Sequence, residues 1–290
     1  MSISTKFQSF CSNIRISDNN TNKISSRYKA ITKRLNTDFW DTESDTNHSL
    51  YVWSYWRDTD IHVSDIDVLM RLPWSIQEKY DKYISNWQSS LLNAVKESLQ
   101  KTYNTSHIKW DWQVIQINFD DWICFEIVPG FLYDDWKYCY PDTNNGWSWK
   151  TTDPQSEIKE IREKDIKWNW NLKRLCRMIR SWKDHCSVNL GWLLIDTFAY
   201  NFLKDWEYKD QSFSYYDWMT RDFFDFLSKQ DEDQDYRLAP GSNQRVNRKW
   251  SFNYKAKQAY LRSLEAMQHE DNNNEYSANL KWKEIYGSKF

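Results

Sequence analysis

Tyr51-Val-Trp-Ser-Tyr-Trp-Arg-Asp-Thr-Asp-Ile-His-Val-Ser-Asp-Ile-Asp67, running on into Val68-Leu69-Met70, is the stretch that decides the reading of this chain. Asp65 and Asp67 stand two apart at the start of an apolar run, so on a strand both carboxylates face one side while Ile66 enters the core on the other. Two like charges held that close repel unless a cation lies between them. Oxygen ligands without histidine or cysteine favour Mg²⁺ over zinc or copper. A third carboxylate should come from a neighbouring strand. Ile123-Cys-Phe-Glu-Ile-Val128 offers one, because Ile123, Phe125 and Ile127 share a face and Glu126 points the other way.

Outward from these strands the chain divides. Residues 5–36 read as a largely polar helical region, and Leu50-Tyr51-Val52 and Ile66 to Leu72 as strands. Gln77 to Tyr103 has helical spacing. Val114 to Phe119 and Ile123 to Val128 read as two strands separated by Asp120-Asp121-Trp122 in a hairpin position. Residues 134–155 are rich in loop residues and make the best boundary, beyond which Asn171 to Cys186, Leu193 to Leu203, Tyr216 to Ser228 and Tyr254 to His269 each carry an apolar helical face. The expectation is an α+β first half, 1–150, and a helical second half, 151–290.

Composition narrows the function classes. At 290 residues and net charge −2, the chain lacks the charge excess that a broad grip on duplex nucleic acid requires. Five scattered cysteines without a CxxC pair point to reduced thiols, and five isolated histidines argue against a zinc site. Met1 to Asn20 has no apolar signal-peptide core, and no stretch approaches the roughly 20 apolar residues of a membrane span. A cytoplasmic protein without a membrane partner is expected.

At this point the sequence resembles the nucleotidyltransferases of the DNA polymerase β superfamily, and in particular the bacterial cyclic GMP-AMP synthase/DncV-like group, the SMODS or CD-NTase family. That pattern is a Gly-Ser turn, an Arg-(Gly/Asp)-Thr segment, an Asp-x-Asp strand and a later acid before Val-Pro. Ser54, Arg57-Asp58-Thr59, Asp65-Ile66-Asp67 and Glu126-Ile127-Val128-Pro129 fill those places. Further likeness runs through Leu35-Asn36, Tyr140-Pro141-Asp142, Leu193-Leu-Ile-Asp-Thr197, Ala239-Pro-Gly-Ser242 and Trp282 to Phe290, so it covers nearly the whole chain.

The resemblance implies a polymerase-β-like nucleotidyltransferase core, with a mixed sheet packed on a C-terminal helical lobe and NTPs, ATP or GTP among them, bound in the cleft. It implies two Mg²⁺ ions on Asp65, Asp67 and Glu126, aligning a ribose hydroxyl with an α-phosphate. Ser54 would cradle the triphosphate, and Arg57, Arg180 and Lys183 are the other substrate-binding candidates. For Arg180 and Lys183 a solvated basic helix face is the alternative reading. The implied product is a cyclic di- or trinucleotide that signals to an effector protein in anti-phage defence of the CBASS type. Two rivals are a transferase modifying RNA or protein, as toxin–antitoxin relatives do, and a catalytically dead nucleotide-binding protein.

The departure from the family is in its glycines. The chain carries 5 glycines and 19 tryptophans, where a glycine share of about 7% is usual. Trp53 and Trp56 replace motif glycines, Trp192 follows Gly191 where Gly-Gly is common, and Trp87, Trp112, Trp122 and Trp136 sit after Asn or Asp where Asn-Gly or Asp-Gly would make a turn. UGA is read as glycine in some bacterial codes and as tryptophan in another. Several of these positions are therefore expected to be glycine in the organism, and an indole at 53 would obstruct the phosphate path.

Overall fold

The computed structural model describes every residue except 1, 53, 54, 56, 63, 64, 82–86, 105, 106, 112 and 143–147; side chains at 65, 80, 81, 87 and 111 are also outside the description. Two compact units emerge. A sheet-bearing unit comprises residues 16–56 and 62–154, and a helical unit comprises 1–15, 57–61 and 155–290.

The sheet unit begins with α2 (Asp18–Trp40), after α1 (Ile3–Asn13) of the other unit. The sequence reads these as one polar helical region. The chain breaks because Ser17 caps α2, its side chain accepting from the Asn20 N–H, with Asp18 favourably placed in the first turn. Buried Asn36 donates to the carbonyls of Ser44 and Asn47 at 2.9 and 2.7 Å, which pins the loop leading into the sheet.

Seven strands follow: β1 (Ser49–Tyr51), β2 (Asp65–Arg71), β3 (His107–Asp111), β4 (Val114–Asn118), β5 (Cys124–Leu132), β6 (Tyr138–Asp142) and β7 (Ser148–Thr152). The main order is β1-β2-β5-β4-β3. Here β2 runs parallel to β5 and the other neighbours are antiparallel, while β6 extends from the far end of β5 and pairs with β7. Helices α3 (Trp74–Asp81) and α4 (Trp87–Gln100) lie between β2 and β3 in the chain. Ile66, Val68 and Met70 of β2 and Phe125 and Ile127 of β5 are fully buried in one cluster with Ile31 and Leu35 of α2 and Leu91 and Val95 of α4. One face of the sheet is thereby committed to the core. Burying each of those side chains stabilises the unit by about 1.5–3 kcal/mol.

The loop expected at 134–155 contains β6 and β7. All five residues of β6 are buried, so the polar–apolar alternation that reveals a half-exposed strand is missing there.

In the helical unit come α5 (Pro154–Lys167), α6 (Asn171–His185), α7 (Trp192–Asp205), α8 (Tyr216–Ser228), the hairpin β8 (Tyr236–Leu238) and β9 (Arg245–Asn247), α9 (Asn253–Asp271) and α10 (Glu275–Tyr286). Phe7 and Phe10 of α1 are fully buried against Trp282, Tyr286 and Phe290. The single boundary expected near residue 150 is therefore corrected. The chain enters the helical unit three times, because the aromatic face of α1 and the segment 57–61 find their packing partners there. Among the described residues no helix is long and apolar enough to cross a membrane.

Candidate active site

The parallel pairing of β2 with β5 sets the register of the acids. Asp65 pairs with Cys124, Ile66 with Phe125, Asp67 with Glu126 and Val68 with Ile127. Since Ile66, Val68, Phe125 and Ile127 are in the core, the alternation of both strands turns Asp67 and Glu126 to the opposite face. The expectation of an acid contributed by a later strand thus corresponds to a direct cross-strand pair. Asp65 occupies the first position of β2, with its side chain outside the description.

Gln116 adds a residue that the sequence reading missed. It pairs with Glu126 across the antiparallel β4–β5 ladder, and its Nε2 donates to Glu126 Oε1 at 2.7 Å. That bond holds one carboxylate oxygen in a set orientation. The signal was present in Val114-Ile-Gln-Ile117, where Gln116 is the polar residue between two buried isoleucines. Oxygen donors on two neighbouring strands are a donor set suited to a hard divalent cation. Among the described residues no group of three or more potential metal ligands is present, and the Asp65 side chain is not among those residues.

Two of the expected substrate contacts are placed differently. Arg57 is 2% exposed, and its Nε donates to Asp196 Oδ2 at 2.8 Å with Nη1 3.4 Å from Glu157 Oε2. Arg180 is fully buried on α6, with Nη1 2.7 Å from Asp196 Oδ1 in a charge contact outside hydrogen-bond alignment. Neither guanidinium lies on a solvated face. Burial alone would raise the Asp196 carboxyl, yet Arg180 and Arg57 outweigh it and hold it below the usual carboxylate range.

Ser242 extends this network by donating to Glu157 at 2.9 Å. The turn that presents Ser242 needs Gly241, at φ +80°, where a Cβ would lie 2.2 Å from the Ser156 carbonyl. Asp196 was missed as a partner, although a lone acid within the apolar run Leu193-Leu-Ile-Asp-Thr197 calls for a buried cation.

Lys183, one turn beyond Arg180, is half-buried beside a cavity of about 320 Å³ that Trp192, Asn247 and Lys249 also line. Its ammonium lies 4.3 Å from the Trp192 ring centroid and 3.3 Å from Asp184 Oδ1. Ser54, Trp53 and Trp56 fall outside the described residues.

A mixed sheet with two acids in register on a parallel strand pair, in a chain that also carries a separate helical unit, defines a nucleotidyltransferase fold of the polymerase-β type. The Second Messenger Oligonucleotide or Dinucleotide Synthetase domain matches residues 1–165, and the chain belongs to this family. A curated relative, the "Probable cyclic nucleotide synthase" of Bacillus cereus strain VD146, is 24% identical over 196 residues, covering 63% of this chain and 56% of that protein. The chain thus spans about half the length of that relative. Among solved structures, CdnC of E. coli MS115-1 in its HORMA-deltaN complex superposes with a TM-score of 0.71 at 14% identity, over 99% of this chain and 98% of that one. The STING-associated CdnE c-di-GMP synthase of Capnocytophaga granulosa gives 0.64 at 16% identity, over 95% and 84%. At these identities the structures speak for the fold.

Proposed function

We propose that the chain is an Mg²⁺-dependent nucleotidyltransferase that joins NTPs into a cyclic di- or trinucleotide, released as a signal to an effector protein in anti-phage defence. The observation that carries this reading is the Asp67–Glu126 register pair on the sheet face turned away from the core. With Asp65 they would hold the metal, which when bound supplies charge neutralisation for the nucleotide phosphates. Gln116 keeps Glu126 oriented, so that its carboxylate needs little reorganisation to serve as a ligand. Lys183 is assigned to phosphate contact. Arg57 and Arg180 act on the fold of the helical unit instead, as the two cations around Asp196.

The test uses the purified chain as written and the same chain with Trp53→Gly and Trp56→Gly, incubated with labelled NTPs and Mg²⁺ and then with phosphatase. A phosphatase-resistant product is expected. Asp67→Asn and Glu126→Gln should each lower its formation by on the order of 10³-fold without altering the circular dichroism spectrum. Label transferred only to added RNA or protein would replace cyclisation with macromolecular modification. Product formation unaffected by Asp67→Asn would remove the proposed site altogether.

A further inference from the structure

A second basic cavity, of about 330 Å³, lies wholly within the helical unit and includes none of the residues assigned above to catalysis or phosphate contact. Arg15 from the link between α1 and α2 and Lys173, Arg174 and Arg177 from α6 converge on it, with Asp58 and Asp165 as its acids. Four cations against two carboxylates leave an excess of two positive charges. Lys173 and Arg177 are four apart on one helix face, a like-charge spacing that destabilises a helix unless something offsets it. The contrast with Arg57 and Arg180 is informative, since those two enclose a fully buried carboxylate between them.

The offset inside this cavity is incomplete. Asp58 is largely exposed, and its carboxylate lies at long range, 3.7 Å from Lys173 Nζ and 3.5 Å from Arg177 Nη1. The other acid, Asp165, accepts the backbone N–H of Lys173 at 2.9 Å, and burial raises its pKa ahead of the opposing pull of Lys173 and Arg177. Arg177 is the telling group. Its side chain is more than nine-tenths buried, its Nη1 donates to the Asp58 carbonyl at 2.5 Å, and its Nε makes no hydrogen bond. A buried guanidinium N–H without an acceptor is costly, and an anionic oxygen in the cavity would satisfy it. Phe213 stacks under Arg174 at 4.7 Å and supplies an apolar wall that strengthens charge interactions beside it.

We infer that this cavity is a binding site for a small phosphate-bearing dianion, held by Arg15, Lys173, Arg174 and Arg177. Its volume suits a mononucleotide or free phosphate and excludes a nucleic-acid duplex. The inference does not depend on the proposed reaction, because its readout is binding and not turnover.

The experiment is isothermal titration calorimetry on the full chain without Mg²⁺, with inorganic phosphate in one arm and AMP in the other. The expected result is one-to-one binding that weakens about tenfold or more in an Arg15→Gln/Lys173→Gln double variant, two positions at which the side chain is not fully buried. Tighter binding of AMP would identify a nucleotide as the ligand, and equal binding would identify the phosphate group alone. In parallel, acetylation of Lys173 read by mass spectrometry should slow when the ligand is present. Absence of binding in both arms, or equal binding by the double variant with Lys173 unprotected, overturns the proposal.

Discussion

Trp122 and Trp136 show what single residues reveal about this chain. Each closes a three-residue hairpin of sequence Asp-Asp-Trp, Phe119 and Tyr133 being the first residues of the two turns. The two loops repeat one hydrogen-bond pattern. The tryptophan N–H reaches the first residue's carbonyl at 3.1 Å, and that residue's own N–H bonds across to Ile123 or Lys137. This pattern ends with a left-handed residue for which glycine is the natural choice. Trp122 and Trp136 have φ of 66° and 65° and are 87% and 67% exposed, so their indoles gain nothing to offset the backbone cost. Trp170, at φ 59°, is a third case that the sequence reading did not single out, whereas Trp192 opens a helix and carries no such strain.

Trp122→Gly and Trp136→Gly should therefore each stabilise the protein by about 1–2 kcal/mol, measured as a higher urea midpoint. The gene should carry TGA at 122, 136 and 170; TGG at all three would refute the reassignment. The buried charges call for the opposite kind of substitution. Asp196→Ala strands Arg57 and Arg180 without their carboxylate and should cost about 3–5 kcal/mol, while a cost below about 1 kcal/mol would show that the pair does not need it.

At the scale of elements, the first turn of α8 holds an acid in an unfavourable place. Asp217 is buried with Oδ1 lacking a partner, and its pKa is pushed up to about 6 by burial first and by nearby Glu270, against the Trp218 backbone N–H and Arg221. The folded pKa is raised, so the folded protein keeps this proton up to about pH 6 while the unfolded chain releases it near its ordinary value of 3.8. Stability from the protonated group is complete below the lower value and is lost as pH rises through the upper one. The stability of Asp217→Asn, followed by urea unfolding, should pull ahead of the parent between pH 4.5 and 7, reaching an advantage of about 3 kcal/mol. A gap that stays constant over that range would show that the carboxyl is not the cause.

The elements also mark how much of the molecule was legible in the sequence. β2 and β5 were readable because each keeps one face apolar, and that same alternation placed Asp67 and Glu126 together on the other face. β6 is buried on both faces, and α10 has charged residues threaded between its buried positions, so neither carried a clean period. Arg57 and Arg180 were legible as basic residues in the right motifs. Their burial was not, because it depends on Asp196, more than a hundred positions from Arg57 in the chain.

For the whole molecule, the telling segment is α1. α1 precedes α2 by four residues, Ile14 to Ser17, yet it packs among the last helices of the chain. Contiguity in sequence suggested the opposite allegiance, but Phe7 and Phe10 belong to the helical unit's core and are fully buried against Trp282, Tyr286 and Phe290. Asn13 Nδ2 adds a bond to the Lys289 carbonyl at 3.1 Å, which ties the end of α1 to the last residues of the chain. The core of the helical unit therefore needs α1, and a fragment starting at residue 155 would lack part of it. Phe10→Ala should destabilise the helical unit by about 3–5 kcal/mol, a large share of the 5–15 kcal/mol that holds a typical domain together. Guanidinium unfolding followed by hydrogen exchange checks this. Amides of α10 should lose protection in the variant while those of β2 and β5 keep theirs, and the reverse order would return α1 to the sheet unit.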